Sequence, residues 1–245
     1  MVGRPLALFR AVLDCLVPPR CVICGAVVCG DDGLCADCFP KLTLISEPMC
    51  KVCGLPFEYG GGLCNRCAHK APPFARHVSA TRYSDAAKKI ILPFKHADET
   101  RLARFMARLM AAAGAGLLRR ADLLVPVPLS RRRLWKRLYN QSGLIAGFLA
   151  RASGKPASYT NLKRIRWKAS QGHLSRTALR ENVRGAFALS DRAEVKGRKI
   201  LLVDDVYTTG ATLSECARVL LAAGAAEVCC LTFARAGGGS PSGIE

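Results

Sequence analysis

The 245-residue chain is short of acid, with 18 Asp and Glu against 37 Lys and Arg and a formal net charge of +19. It also lacks any apolar run long enough to cross a bilayer, which excludes a transmembrane helix. Leu6–Val17 carries a helical apolar face at Phe9, Val12, Leu13 and Leu16, but Arg10 and Asp14 interrupt it and no small-residue cleavage site follows. Residues 1–17 are therefore expected to form an amphipathic helix packed on the rest of the protein rather than a secretory signal. The expectation is a cytoplasmic protein with no membrane insertion. No G-x-x-x-x-G-K-[ST] occurs either, so the adjacent carboxylates Asp204 and Asp205 are not the second nucleotide-binding motif of a P-loop ATPase.

The shortage of acid is uneven. From Leu117 to Ile200 there are 20 Lys/Arg and 4 Asp/Glu, whereas from Leu201 onward there are 2 and 5. A basic segment of this kind suits a polyphosphate ligand, nucleic acid or both, although for any single Arg a solubilising role is the plainer reading. Half of the residues are hydrophobic, enough for a real core in one large domain, or in a small module plus a domain of ordinary size.

Ten of the 13 cysteines precede residue 68, and eight of these form C-x-x-C pairs: Cys21/Cys24, Cys35/Cys38, Cys50/Cys53 and Cys64/Cys67. The first two pairs match the last two at an offset of 29 residues, and Gly25 matches Gly54. This is an internal repeat of two zinc-ribbon-like units over residues 18–70. Two C-x-x-C turns bring four thiolates to one cation, a closed tetrahedral set that suits structural zinc. Two filled sites would each carry a net charge of about −2. A disulfide framework is disfavoured without a secretory signal. Pairing within each repeat is the simple arrangement, and crossed pairing is compatible with the spacing. Cys216, Cys229 and Cys230 fall on core-like elements and read as small buried apolar residues.

Ile200–Val203 is a continuous apolar run, as expected for a strand covered on both faces of a parallel sheet. A helix over Ser214–Ala223, ended by Gly224, and a strand over Val228–Phe233 complete a β-α-β unit. Asp204–Gly210 then sits beyond the carboxyl end of the strand, where open α/β sheets bind ligands. Thr208, Thr209, Gly210, Ala211 and Thr212 suit a phosphate: Gly210 allows close backbone approach, helix-start N–H groups face the anion, and hydroxyls add donors. Asp204 and Asp205 would repel that phosphate and are better placed to accept hydrogen bonds from sugar hydroxyls, or to hold a cation beside them.

Earlier in the chain, His77–Tyr83 reads as a strand, Ser84 as the cap of a helix toward Phe94, and Asp98 as the cap of a longer helix through Leu118. Leu123–Val127 reads as a second strand whose prolines, Pro126 and Pro128, place it near an edge. A basic loop follows, with Arg131, Arg132, Arg133, Lys136 and Arg137 before Asn140 and Gln141. Lys163–Arg184, which includes Arg164, Gln171 and Arg176, is polar and has no apolar periodicity, the mark of a functional loop or a solvated insertion. Residues 236–245 are rich in Gly, Ser and Pro and are expected to be a disordered tail.

The stretch Asp204-Asp205-Val206-Tyr207-Thr208-Thr209-Gly210-Ala211-Thr212 resembles the signature of the type I phosphoribosyltransferases. The resemblance implies that Asp204 and Asp205 take the ribose hydroxyls of phosphoribosyl pyrophosphate and that Thr208–Thr212 hold its 5-phosphate. It further implies pyrophosphate binding by Arg131, Arg132 and Arg133, a flexible loop containing Lys163, Arg164, Gln171 and Arg176, and Mg²⁺ with the substrate. Thr208 stands where some purine phosphoribosyltransferases place an Asp that manages a proton on the base, so purine salvage of that kind is disfavoured.

Duplicated C-x-x-C pairs, Phe94-Lys95-His96, Val125-Pro126-Val127-Pro128-Leu129, Arg137-Leu138-Tyr139-Asn140-Gln141, Gln171…Arg180-Glu181-Asn182…Phe187 and the Asp-Asp stretch occur in that order. This order resembles the ComF family of competence-associated proteins over about residues 15–235. Leu138 departs from the glycine usual in that family, which removes an easy positive φ from the loop. The expected architecture is an α/β, parallel-sheet phosphoribosyltransferase-like domain over residues 76–235, behind the zinc-ribbon module. Phosphoribosyl pyrophosphate is the expected ligand. Single-stranded DNA or DNA-uptake proteins are the partners that the resemblance adds, and a sensor of the same ligand without catalysis is a further alternative.

Overall fold

A computed structural model describes residues 18–28, 33–96, 100–129, 139–166 and 181–237. The expected N-terminal helix at 1–17, Asp98, Arg131–Arg133, Gln171, Arg176 and the last eight residues lie outside that set.

Strands β1 (Arg76–Arg82), β2 (Leu123–Pro126), β5 (Lys199–Tyr207) and β6 (Glu227–Arg235) form one sheet in the order β1-β6-β5-β2. All three pairings are parallel. The apolar run at Ile200–Val203 occupies a central strand, and its side chains alternate between two cores. Leu201 and Val203 join Leu231 and Phe233 beneath helices α2 (Asp85–His96), α3 (Leu102–Ala113), α4 (Ala115–Arg120) and α5 (Gln141–Ser153). Ile200 and Leu202 join Cys230, Phe74 and helix α6 (Ala211–Ala222) on the other face. Burial on both faces explains why neither strand shows polar alternation. Cys216 and Cys230 are fully buried and Cys229 nearly so, in keeping with small apolar core residues.

Pro126 closes β2 at the sheet edge, where a missing N–H costs no ladder bond. Ser84 caps α2, its Oγ accepting the N–H of Ala87 at 3.3 Å. The single helix expected through Leu118 is instead two, broken at Gly114. A Cβ at Gly114 would lie 2.6 Å from Leu231 Cδ1, so the chain turns where it presses closest to the sheet.

The polar segment expected at 163–184 is also trimmed. Lys163 and Arg164 lie on strand β3 (Leu162–Arg164), which pairs antiparallel with β4 (Phe187–Leu189). Leu162 and Phe187 anchor this ribbon in the second core. One buried anchor on each three-residue strand gives too weak a period to stand out among the surrounding charges.

The cysteine-rich front end packs along both the edge and one face of β1. The Ile45 N–H donates to Ala80 O (3.0 Å) and the Arg82 N–H to Thr43 O (2.8 Å), which covers the open sheet edge. Short helix α1 (Asn65–His69) closes the second repeat. That repeat covers His77, Ser79 and Thr232, three polar side chains with no exposure at all. Alternating polar residues on a strand ordinarily mark a solvent face; here they mark an interface.

Candidate functional site

The two four-cysteine sets assemble within each repeat and not across them. Sγ atoms of Cys21, Cys24, Cys35 and Cys38 lie within 4.8 Å of one another, as do those of Cys50, Cys53, Cys64 and Cys67. Burial raises the Cys21 thiol, but backbone N–H groups of Cys35, Cys24 and Ile23 outweigh it and bring the pKa down to about 6. Cys50, first in the second repeat, is likewise brought to about 6, against burial, by the N–H groups of Cys53, Cys64 and Val52. The last cysteine of each set is driven the other way: burial and neighbouring thiols push Cys38 up to about 12, and Cys67 is raised for the same reasons. Four crowded thiols cannot ionise together without a cation, and a closed all-sulfur set with N–H support fits zinc.

At the carboxyl end of β5 the chain presents Asp204 and Asp205, one partly exposed and the other buried. Each carboxylate is held by a residue distant in sequence. Ser142 on α5 donates its hydroxyl to Asp204 Oδ1 at 2.7 Å. Lys95 Nζ, in the last turn of α2, lies 2.8 Å from Asp205 Oδ2. Burial and the adjacent Asp205 charge push Asp204 up to about 7, against the opposing pull of Ser142, the Asp205 N–H and Lys95. A site so poised favours added positive charge or hydroxyl donors next to Asp204.

The loop at 208–210 leads directly into α6. Gly210 adopts φ 77°, a left-handed conformation, and a Cβ there would lie 2.5 Å from the Tyr207 hydroxyl. Glycine is thus required twice over, by torsion and by space. The Ala211 N–H donates to Thr209 Oγ1 at 3.3 Å, and the Ser214 N–H starts the helical ladder at Gly210 O. That leaves the N–H groups of Thr212 and Leu213 without an intrahelical acceptor, in the arrangement that receives an oxyanion. Thr208 is exposed beside them.

A scaffold that the sequence did not single out as site residues surrounds this loop and carboxylate pair. The Tyr139 hydroxyl donates to Phe94 O at 2.7 Å, next to Lys95, and Asn140 Nδ2 donates to Val127 O at 3.2 Å, just past β2. Gln141 is 2 % exposed, yet among the described residues neither of its amide atoms has a partner, nor does Asn140 Oδ1. The only available signal was that Phe94-Lys95-His96 and Tyr139-Asn140-Gln141 are short motifs whose residue types do not by themselves name a contact.

A cleft of about 480 Å³ lies behind the loop, between α1, the 181–184 turn and the first turns of α6. Arg66, Lys70, Arg184 and Arg218 line it with Glu215 and Thr209, but neither Asp204 nor Asp205 does. Glu215 is already engaged by the Gly185 N–H (2.7 Å) and by Arg218. The chemistry of the carboxylate pair therefore belongs to the carboxyl end of central strand β5 and not to this cleft.

Residues 12–68 match the double zinc ribbon domain family, and residues 140–242 match the phosphoribosyl transferase domain family. "DNA utilization protein YhgH" of Escherichia coli K12 is 34% identical over 218 residues, spanning 86% of this chain and 95% of its own. "Competence protein F" of Haemophilus influenzae is 32% identical over 224 residues, or 89% and 97%. YhgH of Salmonella typhimurium is 37% identical over 169 residues, or 66% and 73%. No helix among the described residues is long and apolar enough to cross a membrane.

Proposed function

Because the chain belongs to the ComF family, with a double zinc ribbon joined to a phosphoribosyltransferase domain, we propose that it binds phosphoribosyl pyrophosphate at Asp204, Asp205 and residues 208–212. The observation that carries this reading is one continuous piece of chain. Two carboxylates stand near the carboxyl end of a buried strand that runs on to Tyr207, and five residues after Asp205 the left-handed Gly210 opens a helix. In that arrangement the carboxylates accept the ribose hydroxyls while the helix-start N–H groups and the hydroxyls of Thr208, Thr209 and Thr212 take the 5-phosphate.

Ser142 and Lys95 fix the carboxylates before a ligand arrives, so fewer rotamers are lost on binding. The donors that approach Asp204 also stabilise its charged form. Mg²⁺ suits such a site because it prefers phosphate oxygens, hydroxyls and water, and it would help neutralise the pyrophosphate. Arg131, Arg132 and Arg133 follow β2 in the sequence, which is the basis for assigning them to the pyrophosphate. Lys163 and Arg164 stand at the stem of a segment that continues through Gln171 and Arg176 and that we assign to closure over the ligand.

If the site turns over, a nucleophile displaces pyrophosphate from C1 of the ribose, and the chain contributes orientation and charge neutralisation. Thr208 offers no base near neutral pH, so an acceptor that needs no deprotonation by the protein fits best. The names of the relatives connect the reading to DNA utilisation and competence. A second reading, a single-stranded DNA-binding accessory, rests on the basic surplus between Leu117 and Ile200.

A screen for pyrophosphate release with Mg²⁺, against bases, amines and single-stranded DNA, tests the catalytic part. Release with one acceptor class, abolished in Asp205→Asn, supports transfer. Tight ligand binding with no release under any acceptor supports a sensor.

A further inference from the structure

The second zinc ribbon and the phosphate loop share one buried cluster, and the first ribbon does not. Cys53, a ligand-set residue, presents its carbonyl oxygen to two donors: His77 Nδ1 at 2.9 Å and Arg235 Nη1 at 2.6 Å. Since a carbonyl only accepts, His77 carries its proton on Nδ1, and Nε2 is left to accept from one of the two hydroxyls beside it, Thr232 (3.0 Å) or Ser79 (3.1 Å), which are hydrogen-bonded to each other at 2.7 Å. Both donors to Cys53 also lie against one ring. His77 stacks on Tyr207 with centroids 4.2 Å apart, and the Arg235 guanidinium sits 4.6 Å from the Tyr207 centroid.

Tyr207 is also reached from a second point on the same ribbon. Arg66, one turn of helix between Cys64 and Cys67, donates to the Tyr207 hydroxyl at 2.7 Å. The ring is 2 % exposed. Tyr207 is the last residue before Thr208, and its hydroxyl occupies the space where Gly210 would carry a Cβ. The ribbon in turn is seated without slack, because a Cβ on Gly54 would lie 2.5 Å from the His77 carbonyl oxygen. Among the described residues, no hydrogen bond joins Cys21, Cys24, Cys35 or Cys38 to β5 or to residues 208–212.

We propose that the second ribbon positions the phosphate loop through Arg66, His77, Arg235 and Tyr207, so that metal at Cys50, Cys53, Cys64 and Cys67 and order at residues 208–212 rise and fall together. His77, Arg66, Arg235 and Tyr207 are positioning residues in this scheme, because each acts through the loop. The first site stands outside this coupling: Val22, Ile23 and Leu34 of its repeat pack instead against the core beneath α2–α5. Coupling of this kind is reciprocal in affinity: whatever orders the loop must also tighten metal binding at the second site. That the loop's ligand is phosphoribosyl pyrophosphate rests on the proposed function, but the coupling itself does not require it.

The test is amide hydrogen exchange on the full zinc-loaded chain, with residues 208–212 read against the β6 core as internal reference. Arg66→Ala leaves all eight cysteines in place and is expected to speed exchange at 208–212 on the order of tenfold relative to β6, with Arg66→Lys restoring part of the protection. Cys53→Ser is expected to do the same or more, and Cys24→Ser to leave the ratio within about twofold. Should Cys53→Ser fail to fold, Arg66→Ala against Cys24→Ser decides the matter.

On the same samples, zinc release to a chromophoric chelator is followed with and without phosphoribosyl pyrophosphate and Mg²⁺, while calorimetry reads binding directly. Ligand that raises the chelator concentration needed to remove one of the two zinc ions supports the coupling. Unchanged exchange in Arg66→Ala, or an equal change in Cys24→Ser, overturns it. An absence of binding in the calorimeter counts against the proposed ligand instead, and the exchange ratio still decides the coupling.

Discussion

Lys95 Nζ stands 2.8 Å from Asp205 Oδ2, although 110 positions separate the two residues in the chain. The ammonium at the end of α2 offsets one of two adjacent carboxylates at the carboxyl end of β5, and it also restrains the rise of Asp204. Lys95→Met is therefore expected to move the Asp204 titration further up, because a cause that lowers it is gone. The pair is mostly buried but still touches water, so stability at pH 8 should fall by about 1–3 kcal/mol, between the costs of breaking exposed and fully buried pairs. Carboxyl resonances followed by NMR titration, with thermal melts at pH 8, check both effects.

Asp204 makes stability depend on pH in the direction opposite to an ordinary ion-paired carboxylate. Its folded pKa, about 7, is above the ordinary aspartate value of 3.8. Between those values the folded protein holds more protons than the unfolded chain, so this group's contribution falls as pH rises through the window. Asp204→Asn keeps the shape and removes the charge. Without Mg²⁺ or ligand, the variant should melt roughly 2–4 °C above the parent at pH 8 and show little difference at pH 4. Equal differences at the two pH values would count against the raised carboxyl.

Gly25 and Gly54 form a matched pair in the internal repeat. Both have positive φ, 76° and 63°, but a Cβ at Gly25 meets nothing within 4 Å while one at Gly54 meets the His77 carbonyl at 2.5 Å. Alanine at either position takes on the left-handed strain of about 1 kcal/mol, and only Gly54→Ala adds a clash with rigid backbone. Denaturant midpoints should fall further for Gly54→Ala, by an additional 1 kcal/mol or so.

Gln141 is buried with both amide atoms unpaired among the described residues, a cost of about 1–3 kcal/mol carried by the folded state. Gln141→Leu, close in volume, should leave the melting temperature unchanged or raise it. A fall of several degrees would show that the amide has a partner in solution.

Much of this was legible in the chain. The strand, loop and helix from Ile200 to Ala222 could be read because each local signal agreed: an apolar run, then carboxylates, then threonines and glycine. The cysteine pairs could be read because thiol spacing is itself the site. Lys95 and Ser142 could not be read, since their roles depend on two helices meeting the carboxyl end of one strand. His77, Ser79 and Thr232 were hidden for a related reason. Polar alternation on β1 has the form of a solvent face, Thr232 is a lone polar residue within β6, and only the docking of the second ribbon makes them interior. The short strand β3 was masked by the charges at Lys163 and Arg164 that surround its one buried leucine.

The central claim is that the carboxylate pair and the loop at 208–212 hold a phosphoribosyl group. Calorimetric titration of the full zinc-loaded chain with phosphoribosyl pyrophosphate and Mg²⁺ tests it most directly. Saturable one-to-one binding is expected, weakened at least about tenfold by Asp204→Asn or Asp205→Asn through the loss of charged hydrogen bonds to the ribose. No binding by the parent chain, or binding that both variants retain at full strength, would contradict the account.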